Sequence, residues 1–375
     1  MSGCGGQHTW SKLGDPAKAN VTNPVGTGSY VLESFSAQDY KFKANPEYYG
    51  GKPPVPELNF PAYSGNDSAN LAMVQGEIDW TGQFIPNVDK VYTSKNPNNH
   101  YWFPPGNIFS LMPNLKDPIL SQPVVRQAMS MAIDRNALST KAEYGYEKPA
   151  QPYAVLPTSS SWVDPSLPEK DKKFTFNPTG AEALLEKAGY HKNASGVLES
   201  PNGTPLKFNL IVVSGWTDWD AEASMVAQDL KQIGIQVNVQ QEQQGAYQSQ
   251  LSSHKFQLAL PASTGGPNPY YIDQALYSTK GGGNYEQFSN SSLDAALNAF
   301  AQTTDEAKQK QAMYQVERIV AEQLPTIPLV CGATWYEYNT SKYTGWPDAN
   351  NAYVSPSLWS YPAAAIVVMH LKPVS

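Results

Sequence analysis

Asn23-Pro24-Val25-Gly26-Thr27-Gly28-Ser29-Tyr30-Val31-Leu32 is the stretch on which the reading of this chain turns. One proline and two glycines within five residues specify a tight turn, because proline fixes its own φ and glycine adopts conformations closed to other residues. Alternation starts directly after it, with Tyr30 and Leu32 and then Tyr40 and Phe42. The pattern predicts a β-hairpin with Ser36-Ala37-Gln38-Asp39 at its tip, its second strand running to Ala44, where Asn45-Pro46 stops it.

Working outward, a short strand over 58–62 leads to Ser64-Gly65-Asn66-Asp67-Ser68, whose side-chain oxygens suit a helix N-cap, and the helix carries Leu71, Met73 and Val74 up to Gly76. Glu77-Ile78-Asp79-Trp80 then reads as a strand, so the order is strand, helix, strand, as in a parallel α/β sheet. The aromatic run Tyr101-Trp102-Phe103-Pro104-Pro105-Gly106-Asn107 precedes a strand over 108–114. Asn177-Pro178 is a cap and first-turn pair that opens a helix ending at Gly189. A turn at Ser200-Pro201-Asn202-Gly203 leads into the apolar strand 206–213. The helix from about 219 to 233 places Ala223, Val226, Ala227 and Leu230 on one face, and Gly234 separates it from the alternating strand of Ile235, Val237 and Val239. Gly265-Gly266-Pro267-Asn268-Pro269-Tyr270-Tyr271 reads as a loop, and 304–324 as a long helix. Strands over 326–330 and 335–338 and a tail over 366–371 complete the chain. The fold class is α/β.

At 375 residues the chain exceeds the roughly 250–300 at which single cores stop growing, so two domains are expected. A net charge of -7 and only three arginines, Arg126, Arg135 and Arg318, argue against nucleic acid as a partner. Two cysteines, Cys4 and Cys331, are too few for a disulfide framework and fit no zinc spacing. No apolar run reaches the roughly 18–20 residues of a membrane span.

The hairpin stretch, continued by Phe42-Lys43-Ala44-Asn45-Pro46-Glu47-Tyr48-Tyr49-Gly50-Gly51-Lys52-Pro53, resembles the family 5 extracellular solute-binding proteins, the peptide, nickel and oligosaccharide receptors of ABC importers. Val124-Val125-Arg126-Gln127-Ala128-Met129-Ser130-Met131-Ala132-Ile133-Asp134-Arg135 is similar to that family's helix at the entry to its second lobe, and Ala181, Leu184, Leu185, Ala188-Gly189-Tyr190, Gly203-Thr204-Pro205-Leu206 and the run 227–235 continue the likeness. The resemblance implies a two-lobed periplasmic-binding-protein-like fold (type II, cluster C), with lobe one at 1–115, lobe two at 116–325 and a return to lobe one at 326–375. It implies an interlobe cleft that closes on an oligopeptide or oligosaccharide, and an ABC permease that receives the ligand from a monomeric, extracytoplasmic receptor. In the family a long N-terminal portion precedes the hairpin, so this sequence is expected to present an incomplete first lobe. Ser2-Gly3-Cys4 resembles the end of a bacterial lipoprotein signal, which makes Cys4 a candidate lipid anchor.

No HExxH, CxxC, GxSxG or Walker A pattern occurs, and the five histidines are scattered without metal-ligand spacing. No catalytic residue, cofactor or metal is expected. Aromatic residues make up 11% of the chain, with 9 Trp and 22 Tyr, and their rings stack on sugar faces or apolar side chains while the polar edge hydrogen-bonds. Candidate ligand contacts are Trp216 and Trp219, which follow the carboxyl end of the strand 206–213. Tyr270 with Tyr271, Trp335 with Tyr336, and Trp102 with Asn107 are further candidates, and the resemblance adds Trp80 and Gln83. Ala262-Ser263-Thr264-Gly265-Gly266 supplies no acid ahead of Tyr270, where peptide-binding family members commonly grip a free amino group, so a neutral oligosaccharide is favoured over a peptide, and nickel less than either. The alternative is a secreted carbohydrate-active enzyme or carbohydrate-binding module, motivated by the same aromatics.

Overall fold

Strand β1 (Tyr30–Phe35) pairs antiparallel with β2 (Asp39–Ala44) from Tyr30 opposite Ala44 to Phe35 opposite Tyr40, with a bulge between Leu32 and Ser34. The hairpin is the one read from the sequence, and its tip is closed by Ser36 Oγ, which accepts from the amides of Gln38 and Asp39. The preceding glycine turn is tied down by Asn45, whose side-chain amide donates to the Gly28 carbonyl at 3.0 Å. A third strand, β3 (Glu57–Pro61), extends the sheet antiparallel to β2, with Tyr40 stacked on Phe60 at 5.4 Å. The computed structural model describes residues 24–263 and 265–374, with Ser11, Lys12, Gly14, Asp15, Ala19 and Val21 ahead of them, so the candidate anchor Cys4 lies outside the described residues.

Helix α1 (Asn66–Gln75) starts at Gly65 without a side-chain cap, a departure from the expected N-cap, and ends at Gly76 in the left-handed conformation (φ 78) that glycine adopts without strain. It buries Met73, while Leu71 is 58% exposed. The parallel sheet expected around this helix does not form. β3 belongs to the hairpin sheet, and β4 (Trp80–Thr81), only two residues long, and β5 (Asn99–Tyr101) both pair antiparallel with a strand that arrives more than 200 residues later. A local strand-helix-strand pattern cannot register so distant a partner.

Strand β6 (Pro105–Pro113) opens the second body, and after it come α2 (Pro123–Ala132), β7 (Lys148–Pro149), α3 (Pro178–Lys187), β8 (Lys207–Val213), α4 (Thr217–Gln232), β9 (Gln236–Glu242) and α5 (Gln244–Ser252). β10 (Leu258–Ala259), α6 (Pro269–Tyr277), α7 (Ser291–Ala301), α8 (Glu306–Gln323) and β11 (Ile327–Ala333) complete it. The six-stranded sheet runs β9-β8-β10-β6-β11-β7, with β8 parallel to β9 and β10 and the remaining pairs antiparallel. β8 is apolar and buried from Leu210 to Val213, after exposed Lys207 and Asn209, and all seven residues of β11 are buried, as in a strand covered on both faces. Asn177 caps α3 by accepting from the Gly180 amide, as its sequence predicts. The chain then returns with β12 (Glu337–Asn339), which lies between β4 and β5, and α9 (Ala363–His370), a helix where a closing tail was expected.

The described residues divide into one unit ending at Pro104 and resuming at Thr334, and a second spanning Pro105–Ala333. Among the described residues no helix is long and apolar enough to cross a membrane.

Two buried arginines bracket α2 and bind carbonyls. Arg126 donates to Leu120 O at 2.8 Å, Gln323 O at 2.7 Å and Leu324 O at 2.8 Å, closing the end of α8, where Leu324 turns left-handed at φ 44. Arg135 donates to Pro328 O and Ser130 O, under the ring of Phe174 at 3.5 Å. Burial without a carboxylate partner pushes the Arg126 guanidinium down to about 10 and that of Arg135 to about 9. Replacing Arg126 by Met would orphan three carbonyls at once. The variant should lose about 3 kcal/mol of stability, read as a lower denaturant midpoint in urea unfolding, and an unchanged midpoint would contradict this role.

Candidate functional site

At the carboxyl end of β8 the chain reverses through Gly215, whose φ of 83 belongs to glycine, and α4 begins one residue after Trp216. Trp216 and Trp219, three positions apart, fall on one side of the first helical turn and meet edge to face with ring centres 4.5 Å apart. Trp219 also leans on Phe109 of β6 at 4.7 Å and on Tyr247 of α5 at 6.4 Å, which fixes its plane. Tyr247 is in turn held by its hydroxyl, which donates to Leu260 O at 3.0 Å.

These rings wall a cavity of about 530 Å³, within the range of small-molecule sites. Met112, Val213 and Leu251 line its apolar part, and Gln244, Gln248, Ser263 and Tyr285 bring polar groups to it. The Gln248 side-chain amide donates to the Tyr285 hydroxyl at 3.2 Å, and Ser263 Oγ accepts from the Ile108 amide at 2.9 Å. None of the described residues that line the cavity is ionisable at neutral pH. Ala262 and Ser263, from the segment that lacks an acid in the sequence, are part of its wall. The arrangement offers stacking faces and neutral hydrogen-bonding groups, and nothing to neutralise a charged ligand.

The other candidates lie elsewhere. Tyr270 and Tyr271 sit in the first turn of α6, capped by Asn268, and not in the loop predicted for them; Asn268-Pro269 is a helix start like Asn177-Pro178. Tyr270 stacks on Phe300 at 4.2 Å and belongs to a core, whereas Tyr271 is half exposed. Asn107, on β6, has a buried side-chain oxygen with no hydrogen-bond partner among the described residues, packed against Gly332 of β11. In the other unit, Trp80 meets Tyr336 and Trp346 edge to face at 6.1 and 5.7 Å, and Tyr336 is wholly buried and stacked on Tyr338 at 4.7 Å. Trp335 lies against Phe84 and Phe103, and the Trp102 amide donates to Tyr336 O at 3.0 Å. Gln83 donates to Asn70 Oδ1 at 3.0 Å. The structure thus gathers Trp216 and Trp219 into the cavity and gives Trp80, Trp102 and Tyr336 to an aromatic core.

The sequence reading missed Tyr247, Gln248 and Tyr285, which no local pattern connects to the tryptophans. It also missed the buried carboxylates. Glu286, next to Tyr285, is fully buried, neither of its oxygens has a hydrogen-bond partner among the described residues, and burial pushes its carboxyl up to about 8. The folded state therefore keeps a proton that the unfolded chain, near 4.5, gives up. Below about 4.5 the two states match; between there and about 8 unfolding releases the proton, so this group's contribution falls as pH rises and stays unfavourable above. Replacing Glu286 by Gln should leave stability at pH 4 nearly unchanged and raise it relative to the parent at pH 8.5. Melting temperatures across that range check this, and a constant offset between the two proteins would refute it.

An uncharged aromatic cavity of this size on a mixed α/β sheet has the make-up of a small-molecule site. The sequence model of the bacterial extracellular solute-binding proteins, family 5 Middle, matches residues 4–284, and the chain belongs to that family. A crystal structure of a mannohexaose-bound periplasmic oligopeptide-binding protein of an ABC transporter from Thermotoga maritima superposes with a TM-score of 0.88 at 25% identity, covering 98% of this chain and 73% of that one. The periplasmic murein peptide-binding protein MppA of Escherichia coli is 25% identical over 94% of this chain and 60% of its own length. The nickel-binding periplasmic protein of Escherichia coli is 25% identical over 79% of this chain and 57% of its own. The chain thus spans less than two thirds of the length of these curated relatives. The mixed α/β, type II binding-protein fold expected from the sequence is borne out. The family is one of solute-binding proteins, and the alternative of a carbohydrate-active enzyme or carbohydrate-binding module draws no support from it.

Proposed function

We propose that this chain captures a neutral oligosaccharide as the substrate-binding component of an ABC uptake transporter, outside the cytoplasm, and hands it to a membrane permease. The observation that carries the reading is the cavity walled by Trp216, Trp219, Tyr247 and Tyr285, whose described lining residues are all uncharged. A pyranose offers an apolar C–H face to such rings and hydroxyls to glutamine and tyrosine edges, and asks for no counter-charge. A peptide would bring charged termini for which this cavity has no partner, and burying them unpaired is costly. The mannohexaose held by the Thermotoga maritima relative supports the same choice, while the murein peptide-binding relative keeps an oligopeptide as the second reading.

A melting-temperature screen against manno-, cello- and xylo-oligosaccharides, mixed peptides and nickel chelates tests this. A ligand at 100 times its Kd adds about 2.7 kcal/mol of stability, enough to shift the transition clearly. One oligosaccharide series should stabilise the protein and quench tryptophan fluorescence, and Trp216→Ala should weaken that binding by about tenfold, the loss of one stacking face. A response to peptides alone would overturn the oligosaccharide reading, and saccharide binding unaffected by Trp216→Ala would move the site elsewhere.

A further inference from the structure

We propose that Glu143, Glu147 and Glu222 form a binding site for a hard divalent cation, calcium by size, inside the unit Pro105–Ala333. Glu143 closes the turn that follows residues 138–142, Glu147 stands one residue before β7, and Glu222 lies in the second turn of α4. The chain between the first two reverses through Tyr144 and Gly145, at φ 49 and 80, which returns Glu147 to the neighbourhood of Glu143.

One carboxylate oxygen from each of the three lies within 4.8 Å of the others. Calcium holds its oxygen ligands at about 2.3–2.6 Å, so oxygens on opposite sides of its shell stand about 5 Å apart and three such ligands fit around one ion. All three side chains are buried, at 1%, 6% and 1% exposure. Two of their oxygens, Glu143 Oε2 and Glu222 Oε1, are shut off from solvent with no hydrogen-bond partner among the described residues. That is the observation that separates this cluster from an ordinary acidic patch, since a buried carboxylate oxygen is otherwise satisfied by a donor. Glu147 is held in place by the Ala333 amide, which donates to its Oε1 at 2.6 Å, and by Ser139 Oγ, which donates to its carbonyl.

The charges that act on Glu143 come from Glu222, Glu147 and Asp218, and those on Glu222 from Glu147 and Asp218, all of them acidic. A divalent cation would supply the missing positive charge and the missing partners together. The donor set is all oxygen, without histidine or cysteine, which selects calcium over nickel or zinc. This inference stands apart from the saccharide reading, because the cluster and the cavity share no lining residue.

The test uses the whole chain, stripped with EDTA and dialysed, then titrated with calcium chloride alone. Calorimetry should find one site per chain, and millimolar calcium should raise the melting temperature. Glu222→Gln should weaken binding by about tenfold or more while melting no lower than the parent in EDTA, because it removes a buried charge and keeps the shape. Glu143→Gln is the second variant and should behave alike. A stripped parent whose melting curve and calorimetric trace ignore millimolar calcium overturns the proposal whatever the variants do, as does a glutamine variant that binds calcium like the parent.

Discussion

The constraint on which the larger unit depends is that β6, buried over its last six residues, must satisfy its backbone on both edges in an interior without water. On one edge it takes β11, which arrives after more than 200 residues and places Ala333 opposite Pro105. On the other edge β10 supplies only two residues, Leu258 and Ala259. Past that short strand the backbone still pairs, with Ala262 bridged to Phe109, the Ser263 amide donating to Ile108 O and the Asn114 amide donating to Gln257 O, and side chains add to it. Ser263 Oγ accepts from the Ile108 amide at one end, and at the other the Asn114 side-chain amide donates to the carbonyls of His254 and Phe256. The chain that follows β10, Pro261, Ala262 and Ser263, stays beside β6 through the Ala262 bridge to Phe109 and forms a wall of the cavity.

Charge inside this unit is handled in two opposite ways. The buried cations Arg126 and Arg135 spend their donors on backbone carbonyls at helix and strand ends, doing for α8 and β11 what caps and sheet neighbours do elsewhere. The buried carboxyls of Glu143, Glu222 and Glu286 have oxygens without hydrogen-bond partners among the described residues. Planar guanidinium groups with five fixed donors can fill a ring of carbonyls, whereas a carboxylate needs donors brought to it, and strands and helices have few backbone amides to spare. Arginine burial is thus self-consistent with this fold, and glutamate burial demands a proton or a cation.

Local chemistry was legible in the sequence wherever the deciding residues were neighbours. The β1–β2 hairpin follows from its alternation and its glycine turn, α3 from Asn177-Pro178, and α4 with β9 from the apolar face and Gly234 between them. The pair Trp216 and Trp219 was also readable, because a strand's carboxyl end is adjacent in sequence to what it presents. What failed was pairing at a distance: β4 took β12 as its partner and no parallel sheet formed there, and the tail became α9 because its apolar run Ala363–His370 is eight residues of helix-compatible sequence with Ala at its start. The remaining walls of the cavity, Tyr247 and Tyr285, come from segments whose own patterns only describe a short helix and a turn. The glutamate cluster carries a faint signal, the four-residue spacings of Glu143 to Glu147 and of Asp218 to Glu222, but nothing in it says that the two pairs converge.

Helix α4 ties the two sites together. Its first turns carry Trp216 and Trp219 toward the cavity and Asp218, Asp220 and Glu222 among them. A helix N-terminus ordinarily attracts anions through its free amides and dipole, and strand-to-helix junctions of this kind often hold phosphates or carboxylates for that reason. Here the first turn already carries Asp218 and Asp220, so acidic side chains of the chain itself lie where that field is strongest. On the saccharide reading proposed above, the lack of ionisable groups among the described residues of the cavity wall is what would favour an uncharged guest.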